Sequence, residues 1–129
     1  MIERNFFPKN ERLFLQKDID RLFDKGQSFV SYPLRIIYLH VIANPLTDNG
    51  ISILISVPKK RIRRAVKRNR IKRLIREAYR LNKKEILTLY KEKGKHLHLA
   101  FLYISDDIKP FNDINKAVRK ALEIIRKKN

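Results

Sequence analysis

The chain has 129 residues, with 31 Lys and Arg against 13 Asp and Glu, and a formal net charge of +18. That length suits a single domain able to bury its own core, and a hydrophobic content of 43% excludes wholesale disorder. No cysteine occurs, which excludes a disulfide scaffold, a cysteine-ligated zinc site and a thiol nucleophile.

Residues 1–15 carry Glu3, Arg4, Lys9, Glu11 and Arg12 and so lack a signal-peptide core; residues 1–10 are expected to form a flexible arm ahead of the domain. A helix is predicted over 16–25, with Ile19, Leu22 and Phe23 at i, i+3, i+4 and Gly26 at its end. A short extended piece follows over 28–32, before Pro33. Residues 34–42 read as a strand. Leu34, Ile36, Tyr38 and Ile42 lie on one face and Ile37, Leu39 and Val41 on the other, which suits a central position. Asn44-Pro45 and Asp48-Asn49-Gly50 are turn chemistry. Residues 51–57 alternate, Ile51, Ile53, Ile55 and Val57 inward and Ser52 and Ser56 outward, predicting a hairpin with the preceding strand.

Residues 59–76 change character: eleven of eighteen are Lys or Arg, and none is acidic. Ile71, Leu74, Ile75 and Ala78 recur at helical spacing, so a helix is predicted over 65–82. Helical pattern continues through Ile86, Leu87 and Tyr90 to Gly94. Residues 97–105 form another two-sided apolar strand. Its stretch 99–104 is the longest apolar run, far short of the roughly 18 residues that span a bilayer. A soluble, cytoplasmic protein with no membrane partner is therefore expected. Pro110 opens a last helix with the stripe Phe111, Ile114, Val118, Ala121, Leu122 and Ile125. The order α-β-β-β-α-β-α predicts an α/β two-layer sandwich. It would pack a small, mostly antiparallel sheet of about four strands with three helices. The general rule makes the strand–helix–strand crossover right-handed.

A compact body at +18 repels itself and needs a polyanion; nucleic acid is the commonest and an anionic membrane the next. The acid-free helix locates the demand. Like charges one turn apart destabilise a helix by a few tenths of a kcal/mol per pair, about 0.2–0.5. With Ile71, Leu74, Ile75 and Ala78 inward, Asn69, Arg73, Arg76 and Arg80 share the outer face, flanked by Arg68 and Arg70. Guanidinium forks match phosphates bidentately, and an asparagine amide both donates and accepts. Lys59, Lys60, Arg61 and Arg64 stand just ahead of that face.

The run Ile62-x-x-Ala65-x-x-Arg68-Asn69-Arg70-Ile71-Lys72-Arg73-x-Ile75-Arg76 resembles the signature of the bacterial ribonuclease P protein subunit. Arg12-Leu13, Phe23 before Lys25-Gly26, and Ser56-Val57-x-Lys59-Lys60 agree with it, and the likeness extends over roughly residues 10–127. The resemblance implies a protein partner of a catalytic RNA. Their holoenzyme removes the 5′ leader of precursor tRNA, with the RNA and its Mg²⁺ ions hydrolysing the phosphodiester and one protein per RNA. It implies that Arg68, Asn69, Arg70, Lys72, Arg73 and Arg76 lie in the RNA-docking helix. It also implies a leader cleft at Ile19, Phe23 and Tyr38, and a left-handed crossover in place of the general rule. Ile19 stands where the family usually has an aromatic residue. Arg63-Arg64 stand where it has a glycine before the alanine.

Other constellations are weaker. Phe23 and Tyr38 would pass for core residues without the resemblance. His96 and His98 share a strand face but have no third ligand in sequence, which favours a solvated strand start. His40 suits packing in a two-sided strand. Asp106-Asp107 suit a turn better than a Mg²⁺ pair. No phosphate loop, nucleophile elbow or spaced histidine–carboxylate set occurs, so no catalytic residue is assigned to the protein. A structural rRNA-binding ribosomal protein explains the charge equally well, though not the Arg-Asn-Arg pattern. A DNA-binding module reading adenine through Asn69 lacks a helix-turn-helix pair.

Overall fold

A computed structural model describes residues 12–13, 15–42 and 50–128. The arm expected at 1–10 and the turn residues Asn44, Pro45, Asp48 and Asn49 lie outside the described residues. The elements in chain order are α1 (Gln16–Lys25), β1 (Gln27–Ser31), β2 (Leu34–Val41), β3 (Ile51–Ser56), α2 (Ala65–Asn82), α3 (Lys84–Glu92), β4 (His96–Tyr103) and α4 (Phe111–Lys127). The α/β sandwich expected from the sequence is present, with four helices among the described residues rather than three. The extra boundary falls at Asn82, whose side-chain amide donates to the Ala78 carbonyl (2.7 Å) and to Asn115 Oδ1 (2.8 Å). Such local bonding competes with the helical ladder, and α3 restarts two residues later.

The sheet order is β1-β2-β4-β3. β1 pairs antiparallel with β2, β2 antiparallel with β4, and β3 parallel with β4. The hairpin predicted between β2 and β3 does not form, because β4 lies between them. Almost wholly buried, β4 takes an interior place in the sheet, with Leu97, Leu99, Phe101 and Tyr103 on one face and His96, His98 and Ala100 on the other. The α2–α3 segment is the crossover that parallel pairing of β3 with β4 requires. On β3's outer edge, the Leu13 amide donates to the Ile53 carbonyl at 2.8 Å.

Each sheet face has its own core. Leu34, Ile36 and Tyr38 of β2, with Leu97, Leu99 and Phe101 of β4, pack against α2, α3 and α4 through Ile71, Ile75, Tyr79, Ile86, Val118 and Ile125. The opposite face is smaller: Ile37 and Ala100 pack with Leu13 and with Leu22 of α1. This second core corrects the outward assignment of Ser52, which is buried, its hydroxyl 3.2 Å from His96 Nε2. Gly26 lets α1 lie this close to β2. A Cβ there would stand 2.4 Å from the Leu22 carbonyl oxygen and 2.8 Å from Ile37 Cγ2.

Candidate nucleic-acid interface

The basic helix begins from a loop that its own arginine organises. The amides of Arg61 and Ile62 both donate to the Pro58 carbonyl (3.1 Å each). Arg68 Nη1 donates to the carbonyls of Arg63 (2.6 Å) and Ile62 (3.1 Å). Arg61 reaches Asp106 at 3.3 Å. Arg68 flanks Asn69 as the helical spacing predicts, and part of its fork fixes the loop that carries Lys59, Lys60 and Arg64.

The helix faces as its periodicity predicts. Ile71, Ile75 and Ala78 are buried, with Tyr79, which the apolar spacing from Ile75 also contains. Leu74 is half-buried against the same core. On the other side Asn69, Arg70 and Arg73 are exposed, and Lys72 and Arg76 are half-buried; Lys59, Lys60 and Arg64 are exposed ahead of them. Arg80 drops out of the predicted ladder because Glu77 neutralises it in a two-pronged pair (2.6 and 3.1 Å). Arg76 is the most constrained of the series. Burial pushes its ionisation below the usual arginine range, and the Arg12 and Arg73 guanidiniums push it further. Three guanidiniums thus converge where α2 meets the segment beside β3. Among the described residues the ion pairs are Arg61–Asp106 and Arg80–Glu77, and neither relieves that cluster. Arg12 and Arg73 are exposed and Arg76 half-buried, so the cluster presents concentrated positive charge at the surface, which attracts anions.

The proposed cleft residues divide between the two sheet faces. Ile19 is half-buried beside Leu22 and Ile37, and Phe23, on the same helix, is 48% exposed. Tyr38 is only 2% exposed and lies on the opposite face. Its hydroxyl donates to Gln27 Oε1 (2.8 Å), its ring meets Phe29 edge-on (centroids 6.0 Å), and Lys128 Nζ sits 6.0 Å from its centroid. The structure therefore brings Ile19 and Phe23 together and leaves Tyr38 out. Successive strand residues point to opposite faces, so Ile37 and Leu39 are the β2 side chains under α1, with Leu54 and Leu102 alongside. Strand parity was the signal for them: α1 covers one face, and a one-residue slip exchanges the faces.

The histidines are structural. His40 Nε2 lies 2.7 Å from Tyr90 Oη, and the rings stack at 5.6 Å. His96 and His98 meet edge-on under α1 at 5.4 Å, both buried rather than solvated. Burial pushes the His98 imidazole down; His96 and Arg21 reinforce this and Asp18 opposes it. Among the described residues no group of three or more His, Cys, Asp or Glu side chains could hold a metal ion. Asp106 pairs with Arg61, and the Asp107 carbonyl accepts from Ser105 and Tyr103, which is turn chemistry. No helix among the described residues is long and apolar enough to cross a membrane.

Comparison with known proteins agrees with this architecture. The sequence profile described as Ribonuclease P matches residues 7–126. A ribonuclease P protein component from Porphyromonas gingivalis is 44% identical over 114 residues, covering 88% of this chain and 82% of that protein. One from Chlorobium phaeobacteroides is 37% identical over 106 residues, covering 78% and 73%. The solved RNase P protein of Staphylococcus aureus superposes with a TM-score of 0.64 at 26% identity, covering 89% and 94%. That of Thermotoga maritima shares the fold, with a TM-score of 0.67 at 22% identity, covering 88% and 96%. These relatives lend no support to the ribosomal alternative.

Proposed function

The chain belongs to the ribonuclease P protein family, the protein components of the enzyme that processes tRNA 5′ ends, and from that premise we propose how it contributes: it docks a catalytic RNA through α2 and holds the 5′ leader of precursor tRNA beside α1. The observation that carries this reading is the convergence of Arg12, Arg73 and Arg76 without a carboxylate pairing them among the described residues. In this account Lys59, Lys60, Arg64, Arg70, Lys72, Arg73 and Arg76 neutralise RNA phosphates. Asn69 adds a donor and acceptor, and Arg68 holds the entry loop in place. Phosphate forks fit guanidiniums, and each neutralised phosphate releases counterions.

The leader follows the α1 face, over Phe23 and Ile19, on a helix that rests on Ile37 and Leu39 rather than on Tyr38. A base resting on an exposed aromatic ring gains about 1–3 kcal/mol. Phosphodiester hydrolysis belongs to the RNA and its Mg²⁺ ions, and the protein contributes charge, position and substrate choice, one copy per RNA in the cytoplasm. The test compares affinity for precursor and mature tRNA, using the RNA subunit with and without protein. The protein should raise the preference for precursor; an equal preference in both samples refutes the leader contact.

A further inference from the structure

Removing residues 59–76 from the count leaves twenty Lys and Arg against all 13 acids, so the rest of the chain still carries +7. Part of that excess gathers on the other side of the molecule. α2 packs over β3 and α4 lies against β1 and β2, so the β1 edge is separated from the β3 edge by three strand spacings, roughly 14 Å. Between the β1–β2 turn and α4 is a cleft of about 410 Å³, within the range of small-ligand sites. Lys109, Lys116 and Lys120 converge on it, opposed by Asp113 alone, and the Tyr32 ring forms one wall.

The walls are fixed from within. Ser31 Oγ donates to the Ala117 carbonyl at 2.9 Å in a buried bond that pins the end of β1 to α4. The Ile104 amide donates to the Pro33 carbonyl at 2.9 Å, and the Lys109 amide donates to Tyr103 Oη at 2.9 Å. On this frame the Tyr32 ring stays 60% exposed, with Lys109 Nζ 5.6 Å from its centroid. Lys116 and Lys120 are one helical turn apart, and neither pairs with Asp113 among the described residues. Exposed aromatic surface beside unpaired cations is the chemistry of a nucleotide contact: the ring receives a base and the ammonium groups receive its phosphates.

We propose that this cleft is a second RNA contact, taking a phosphodiester at Lys116 and Lys120 and a base on Tyr32. It rests on the RNA-binding reading of α2 and extends it to the opposite sheet edge. Two RNAs could supply the ligand, the catalytic RNA or the precursor tRNA.

The test uses the full chain with a ribonuclease P RNA transcript, and with that transcript plus precursor tRNA. Binding is measured against salt for Lys116→Ala/Lys120→Ala and for Lys91→Ala/Lys93→Ala, a pair of exposed lysines near the α3 end that removes the same charge. The cleft variant should make the log–log salt slope shallower by about 1.4–1.8, two phosphates' worth, and the control should leave it unchanged. Tyr32→Leu should weaken binding at least about fivefold with an unaltered melting curve. Loss with the transcript alone assigns the catalytic RNA; loss only when precursor is present assigns the substrate. Equal slopes for the cleft and control variants overturn the phosphate contact, and undiminished binding by Tyr32→Leu overturns the base contact. Arg70→Ala/Arg73→Ala separates the two levels: if it too binds normally, the RNA-binding reading fails, whereas if it alone is impaired, only the second contact falls.

Discussion

Two positions on α2, Arg73 and Ile75, should separate stability from RNA binding. Ile75 is fully buried between the helical layer and the sheet. Ile75→Ala removes three carbon groups at about 0.8 kcal/mol each and leaves a cavity, for a total of about 2–5 kcal/mol. That is a large share of the roughly 5–15 kcal/mol of a typical domain. Arg73 is exposed and lies close enough to Arg76 to disfavour its charge. Arg73→Ala should therefore change stability by less than about 0.5 kcal/mol, and relief of that repulsion makes a small gain the expected sign. Its effect on RNA is different: loss of one phosphate contact makes the salt slope shallower by about 0.7–0.9. Over a fourfold rise in salt this is roughly a threefold change in relative affinity. Urea unfolding followed by circular dichroism measures the first quantity and a salt titration of RNA binding the second. If Arg73→Ala unfolds the protein while Ile75→Ala leaves the urea midpoint unchanged, α2 presents the opposite face and the reasoning fails.

Four further substitutions have outcomes that follow from the geometry. Phe23→Ala should reduce the preference for precursor over mature tRNA, by about 1–3 kcal/mol for one lost base contact. Tyr38→Phe should leave that preference intact, costing only the bond to Gln27, about 0.5–1.5 kcal/mol; competition binding that shows the reverse would return Tyr38 to the cleft. For His98, burial lowers the folded-state pKa below the ordinary 6.5, so on acidification the unfolded chain takes up its proton first. Its contribution is thus present above about pH 6.5 and lost as pH falls from there toward the folded-state pKa. His98→Gln should flatten that part of the urea midpoint against pH, and an unaltered profile would contradict the assignment. Gly26→Ala should cost about 1–3 kcal/mol through overpacking against Leu22 and Ile37; an unchanged midpoint would mean that α1 does not approach β2 so closely.

Local features were legible in the sequence where local physics decides. The bounds of α1 and α2 follow from apolar spacing with Gly26 and Asn82 at their ends. Strand pairing was less legible: insertion of β4 between β2 and β3 depends on contacts across the whole α2–α3 crossover, which no short-range pattern encodes. The basic interface was readable as composition and as a helix face. The division of labour within it was not, because Arg68 turns back on its own loop and Arg80 pairs with Glu77. Tyr38 shows how sharp strand parity is. An aromatic residue attracts a functional reading, yet its neighbour Ile37 holds the position under α1. The cleft beside Tyr32 joins the β1–β2 turn to a helix more than seventy residues away, a proximity that only the fold creates.

The central claim is that this chain supplies charge and substrate grip to an RNA catalyst. Leader removal from precursor tRNA by the catalytic RNA, at a Mg²⁺ concentration too low for the RNA alone to work well, tests it most directly. A protein at +18 that replaces counterions between two RNAs should restore cleavage at the mature 5′ end. Arg73→Ala should restore it only at lower salt. Cleavage that is no faster with the protein than without it would contradict the account.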